Sequence, residues 1–308
     1  SIEARGGVDL SKPGGVFDLR LEGGVNLSIL QEFDPNMTAV GDSLLDLTIQ
    51  GPLRKPDVAG RLVLQKASLS LSGVPVGIDN ASGVLLVGRD RVTIENVTAE
   101  AGGGALKLGG YVGFAAGQPS YGLQITAKQI RVRYPEGVST SADASLTLTG
   151  TARRSLLSGA VVVLRSSFAP NIDFAGLLAR SSQPMVTPAT HNELLRGMQF
   201  DVRVETAPNA RLETSLTRDI QAEADLRLRG TPYKPVLLGR IDVNRGEINF
   251  LGNRYTISRG RISFLNPFKF EPDVDLDLET RVRGVDVTMN FSGAPARLNV
   301  TYRSDPPL

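Results

Sequence analysis

The stretch Pro272-Asp273-Val274-Asp275-Leu276-Asp277-Leu278-Glu279-Thr280-Arg281-Val282-Arg283 sets Val, Leu, Leu, Thr and Val against an unbroken series of acids and arginines. A strand points successive side chains to opposite faces, so this segment has one apolar face and one highly charged face. The pattern resumes after Gly284, with Val285, Val287, Met289 and Phe291 against Asp286, Thr288 and Asn290. Leu298, Val300 and Tyr302 then alternate with Arg297, Asn299, Thr301 and Arg303. Upstream, Ala222, Ala224, Leu226 and Leu228 alternate with Gln221, Glu223, Asp225, Arg227 and Arg229. Helical periodicity is nearly absent. The chain therefore reads as all-β, with about twenty strands of roughly 5–10 residues joined by Gly-, Asn- or Pro-containing turns.

One unit is written three times. Leu47-x-Ile49-x-Gly51, Leu146-x-Leu148-x-Gly150 and Leu226-x-Leu228-x-Gly230 each end a strand at a glycine, and Gly60, Gly159 and Gly239 each open the next. The first and third copies share more. Lys55-Pro56 matches Lys234-Pro235, and Leu69, Leu71 and Gly73 match Ile248, Phe250 and Gly252. The spacing between copies is irregular, and it is the repetition of the strand unit that predicts growth by stacking rather than a closed globule.

Composition excludes several classes of function. The 308 residues hold no Cys, no Trp and one His, and aromatics make up 6%. Without Cys there is no disulfide scaffold, thiolate metal site or cysteine nucleophile. The 34 Lys and Arg are interspersed with 32 Asp and Glu, so no basic block is available to track nucleic acid. No apolar run reaches the ~18 residues of a membrane-spanning helix. The chain opens at Ser1 without Met and stops at Asp305-Pro306-Pro307-Leu308, which reads as two cuts in a longer protein.

The chemical motifs that remain are weak. His191 lies in a Pro/Ser-rich stretch, 166–198, with a short helix expected over Thr190–Leu195 and Thr190 as its cap. A catalytic triad would need a partner carboxylate for this lone His, and a zinc site would need further ligands. Asp273, Asp275, Asp277 and Glu279 stand about 6.5–7 Å apart along one strand, too far to share one calcium without help from loops. Gly102-Gly103-Gly104 precedes strand alternation instead of the helix a phosphate loop requires. No catalytic residue, metal site or cofactor is expected, and the chain reads as a non-enzyme.

The apolar stripe remains. Alternation alone is compatible with a closed β-sandwich or β-helix core. It is equally compatible with an open groove, since few helices exist to cover a sheet face and aromatic plugs are scarce.

The C-terminal 80 or so residues carry a resemblance. Gly239-Arg-Ile-Asp-Val-Asn-Arg-Gly246-Glu-Ile-Asn-Phe250-Leu-Gly252-Asn-Arg-Tyr255-Thr-Ile-Ser-Arg-Gly260-Arg-Ile-Ser-Phe264-Leu-Asn266-Pro267 resembles the C-terminal domain of the TamB family, a subunit of the bacterial translocation and assembly module. Pro272-Asp273-Val-Asp275-Leu, Thr280-Arg-Val-Arg-Gly284, Phe291-Ser-Gly293 and Ser304-Asp305-Pro306-Pro307-Leu308 continue it. Upstream, the likeness is looser and rests on the repeated strand–Gly unit.

The resemblance implies an elongated, curved β-sheet folded into a U-shaped apolar groove, as in AsmA-like bridge-type lipid-transfer proteins. It implies a periplasmic location in a diderm bacterium, with an inner-membrane anchor in the full-length protein. The implied partners are phospholipid acyl chains and an outer-membrane barrel protein of the TamA/BamA type. The function it implies is conduction of phospholipid between the membranes. A chaperone-like module that binds barrel or autotransporter clients by strand addition is the alternative. Expected domains are a repeated β-groove segment over 1–165, an insertion over 166–198, and a C-terminal segment over 199–308 continuous with the first. Expected lining residues are Leu226, Leu228, Ile241, Val243, Ile248, Phe250, Tyr255, Ile257, Ile262, Phe264, Leu276, Leu278, Val287, Met289 and Phe291.

Overall fold

The computed structural model describes residues 2–11, 14–32, 35–114, 119–134, 136–151, 153–168, 193–213, 217–250, 253–268, 271–282, 284–294 and 297–306. Among these residues there are seventeen strands, one 3-10 turn over Leu27–Glu32 and one short helix, α1, over Glu193–Gly197. The all-β reading holds. The cap expected at Thr190 lies outside the described residues, as do His191 and most of the 166–198 stretch. No helix among the described residues is long and apolar enough to cross a membrane.

The chain divides into two compact units. The first comprises 1–130, 145–156 and 190–198, and the second 131–144, 157–189 and 199–308. Unit 1 is an antiparallel meander of β1 (Ile2–Asp9), β2 (Val16–Asn26), β3 (Met37–Pro52), β4 (Asp57–Leu71), β5 (Ile78–Val87), β6 (Arg91–Ala101), β7 (Gly104–Gly113) and β8 (Ser120–Val132). The strands β9 (Val138–Thr151) and β10 (Arg154–Phe168) pair with each other and contribute residues to both units. Unit 2 is a second meander of β11 (Met198–Glu213), β12 (Thr217–Thr231), β13 (Lys234–Phe250), β14 (Asn253–Phe264), β15 (Pro272–Val282), β16 (Val285–Gly293) and β17 (Asn299–Asp305).

These strands are fewer and longer than the alternation predicts, running from 7 residues in β17 to 17 in β13. The physical reason is that several glycines expected to separate strands sit inside them. Gly60 and Gly239 bend β4 and β13 at φ +150° and +119° without breaking the ladder. A Cβ on Gly60 would strike the Asp46 carbonyl oxygen and lie 2.8 Å from Leu47 Cα. One on Gly239 would strike the Asp225 carbonyl oxygen and lie 3.0 Å from Leu226 Cα. Each glycine lies opposite a leucine of the preceding strand, Leu47 or Leu226. The first and third repeats thus build the same close crossing, which only glycine permits.

Candidate functional site: an apolar strand face

In unit 2, register assembles the predicted apolar residues into rows that cross the strands. One row runs Ala222, Val243, Gly260, Leu276, Phe291, Val300. Beside it run Ala224, Ile241, Ile262, Val274, Gly293, and then Leu226, Gly239, Phe264, Pro272. On the other side Ile257, Leu278, Met289 and Tyr302 form a fourth row, with Ile248 opposite Tyr255 beyond it. Leu228 lies between Val202 and Leu237, and Val287 between Thr280 and Ser304. The Phe250 side chain is outside the described residues.

Strict alternation would send Ile257 and Ile262 to opposite faces. A register shift between Ile257 and Arg259 makes Ser258 an extra residue in β14 and restores both to one face. The pairing of β12 with β13 is likewise irregular around Gln221, where Arg245 lies opposite Gln221 and Val243 opposite Ala222. Val243 and Ile248 therefore share a face despite their odd spacing. The bulges form a bend line, and apolar side chains from either side of it converge. Ile220, Ile257 and Leu278 are buried there, with Val243, Ile248, Tyr255, Leu276, Met289 and Phe291 packed around them. Gly246 and Gly260 lie beneath. A Cβ on Gly246 would come within 2.7 Å of Ile220 Cγ1, and one on Gly260 within 2.9 Å of Val243 Cβ.

Unit 1 repeats the arrangement with smaller residues. Gly23, Leu45, Leu62, Leu85, Ile94, Gly110 and Leu123 form one row across seven strands. Next to it, Lys66, Asn80, Asn96 and Gln129 take positive φ, between 46° and 56°, one in each of β4, β5, β6 and β8. At Lys66 the bulge frees the backbone N–H, which donates to Ser82 Oγ at 3.2 Å. The buried residues at this bend are Leu27, Ala39, Ala67, Ala81 and Val97, with Leu64, Leu69, Ile78, Leu85, Ile94, Ala99 and Leu108 packed against them.

On the charged face of unit 2 the side chains pair across strands. Arg227 donates to both carboxylate oxygens of Asp201 at 2.6 and 2.8 Å. Arg203 meets Asp225 at 3.3 Å, Arg261 meets Asp242 at 2.7 Å, and Arg259 meets Asp275 at 2.6 Å. Asn290 Nδ2 donates to Asp275 and Asp277, so this part of the acidic run is met by neighbouring strands. The hydrogen bond from Arg227 holds the Asp201 carboxyl below the usual carboxylate range, against a smaller opposing effect of burial. The bulges leave an open depression of about 390 Å³ here, lined by Glu223, Asp242, Arg259 and Arg261 among others. Its arginines are already engaged. No group of three or more His, Asp or Glu among the described residues is placed to hold a metal.

The apolar face of unit 2 is buried in part and half-open in part. Among the described residues, the largest side chains with under 2% exposure are Ser43 and Ser155. Of the expected lining residues, Leu226, Ile257, Phe264 and Leu278 are buried at 5–7% exposure, whereas Leu228, Ile241, Val243, Ile262, Leu276, Met289 and Phe291 are half-buried. The family model of the TamB C-terminal domain matches residues 95–308, well over half of the chain. The chain belongs to the TamB family. A search of curated proteins finds no match. The TamB family serves the translocation and assembly module, a transport and assembly function without catalysis. Membership implies a periplasmic, diderm bacterial setting and interaction with TamA-type outer-membrane proteins in general.

Sequence reading missed part of this TamB surface. Val202 and Ile220 are 3% and 7% exposed and belong with this face. Ile220 is one more step of the parity of Ala222 and Ala224, so the signal was present. The alanines of unit 1 carried none, because Ala is at home on either face.

Proposed function

We propose that this chain is a length of an apolar β-groove that conducts phospholipid between the inner and outer membranes. Acyl chains lie along the rows while headgroups keep to water. The observation that carries this reading is the in-register apolar face of β12–β16, on which Ile241, Val243, Ile262, Leu276, Met289 and Phe291 remain half-buried beside the buried Leu226, Ile257, Phe264 and Leu278. Each CH₂ removed from water contributes about 0.8 kcal/mol, so a 16-carbon chain gains on the order of 12 kcal/mol before ordering costs. Uniform rows spread that gain along the face, which favours sliding over capture at one point.

In this reading segments 1–165 and 199–308 are the two lengths of the conducting surface, with 166–198 between them in sequence. The full-length protein is anchored in the inner membrane and meets a barrel partner of the TamA/BamA type.

Native mass spectrometry of the purified chain tests the proposal. Co-purifying phospholipid is expected, and Met289→Arg or Val287→Arg, at half-buried positions of the face, should remove it, because a charge there is too costly to leave beside hydrocarbon. Lipid occupancy unchanged in both variants would overturn the reading. Crosslinks from a terminal strand to a client barrel, with no lipid present, would transfer support to strand addition.

A further inference from the structure

The repeats allow one bend to be compared with the other position by position. Gly60 and Gly239 start equivalent stretches, which sets Ala67 in unit 1 at the place of Gly246 in unit 2. Around Gly246 the space is filled by side chains of the strands themselves, Ile220 and Ile257. In the cluster that holds Ala67 the buried strand residues are Ala39, Ala81 and Val97, with larger strand side chains such as Leu64, Leu69 and Ile78 packed against them, and Leu27 is its one buried member that belongs to no strand. Leu27 opens the 3-10 turn between β2 and β3, and it is 7% exposed while Ile29 and Leu30 beside it are 51% and 37% exposed.

The turn packs against β3 and carries side-chain hydrogen bonds at both ends. Ser28 N–H donates to Asn26 Oδ1 at 2.9 Å, and Gln31 Nε2 donates to the Ala39 carbonyl oxygen at 3.3 Å. The contact that Leu27 makes in the cluster is aliphatic, and an acyl chain can supply a comparable one.

We propose that the Leu27–Glu32 turn is a self-plug. Leu27 occupies apolar space at the unit 1 bend in competition with an acyl chain, and the turn lifts when hydrocarbon arrives. This rests on the conduction reading, and it adds a closed and an open state to the surface. In the closed state Leu27 covers the alanine floor. In the open state the acyl chain does so, and the turn stays tethered by β2 and β3.

The test uses the 308-residue chain with vesicles of phosphatidylethanolamine and phosphatidylglycerol carrying a fluorescent-acyl phospholipid. Leu27→Ala should raise bound lipid by about tenfold, the worth of one competing Leu side chain. Leu27→Met should behave as the parent chain. Val97→Ala hollows the same cluster while keeping the plug, and it should leave binding near the parental level. An equal rise in Val97→Ala, or no rise in Leu27→Ala, overturns the plug.

Because the chain has no cysteine, Ile29→Cys gives a single attachment point for an environment-sensitive dye. Its emission should change as lipid binds, and unchanged emission during binding also overturns the plug. Lipid that is lost in Val287→Arg yet indifferent to Leu27→Ala sinks the plug alone. No lipid in any of these proteins sinks the conduction reading with it.

Discussion

The two bends solve one packing problem with opposite choices of residue size. Where strands bend toward their apolar face, side chains from both sides of the bend converge and compete for space. Unit 1 answers with Ala39, Ala67 and Ala81 and brings in Leu27 to fill what they leave. Unit 2 answers with glycine, at Gly246 and Gly260, and lets Ile220, Ile257, Leu276 and Leu278 spread over it. The first arrangement has a removable filler; the second is filled by the strands that make it. Stability at the bend should therefore reside in strand side chains in unit 2 and be shared with a turn in unit 1.

The largest expected effect probes that division. Leu278→Ala removes a buried strand side chain from the middle of the unit 2 cluster, and it should lower unfolding stability by about 3 kcal/mol in urea melts. Ala67→Gly, at the unit 1 bend, should cost only about 1 kcal/mol, the backbone-entropy difference in a strand. Equal losses would mean that the two bends do not divide the work as described.

Gly246→Ala comes next, at about 1–3 kcal/mol, since its Cβ would press on Ile220 and Ile257. Combining it with Ile220→Ala, which removes the Cγ1 that the new Cβ would meet, should cost less than the two single changes summed, because relief of that contact offsets part of the loss. Additive losses in the double variant would show that the clash lies with the backbone and not with Ile220.

Much of this surface was legible because period two is a direct consequence of strand geometry, and Leu276, Leu278, Met289 and Phe291 needed no further information. The bends were less so. A bulge reverses parity after one extra residue, and nothing in Ile257-Ser258-Arg259-Gly260 announces that Ser258 is the extra one. Gly60 and Gly239 looked like strand boundaries, since glycine serves turns and in-strand kinks alike; only the register shows the ladder passing through them. The plug was hidden for a related reason. Val25, Leu27 and Ile29 keep the alternation of β2 going on paper, while the chain has already turned at Asn26-Leu27-Ser28. A charged or polar residue at Leu27 would have marked the end of the strand, and its apolar side chain is the one the bend requires.

A smaller effect separates the residues that make the unit 1 bend. Lys66 and Asn80 both have φ near 50°, but Asn tolerates the left-handed region and Lys does not. Lys66→Gly should stabilise the chain by up to about 1 kcal/mol, and Asn80→Gly should change little. If the two variants match, the Lys66 side chain carries a contact that offsets its backbone strain.

The smallest effect lies on the charged face and follows from the sign of one titration. Asp201 is held below its ordinary pKa, first by the hydrogen bond from Arg227. A carboxylate whose folded pKa is depressed adds stability above its unfolded pKa, about 3.9, and loses it as pH falls through the lower folded value. Asp201→Asn should therefore be slightly less stable than the parent near neutral pH, with the gap closing as the pH falls below the ordinary carboxylate value. Both partners are largely open to water, with side-chain exposures of 52% for Arg227 and 33% for Asp201. Molar salt should narrow the gap at neutral pH as well. A gap that survives acid and salt would mean that Asp201 acts through packing and not through its charge, and the charged face would then matter to the bend as much as the apolar one.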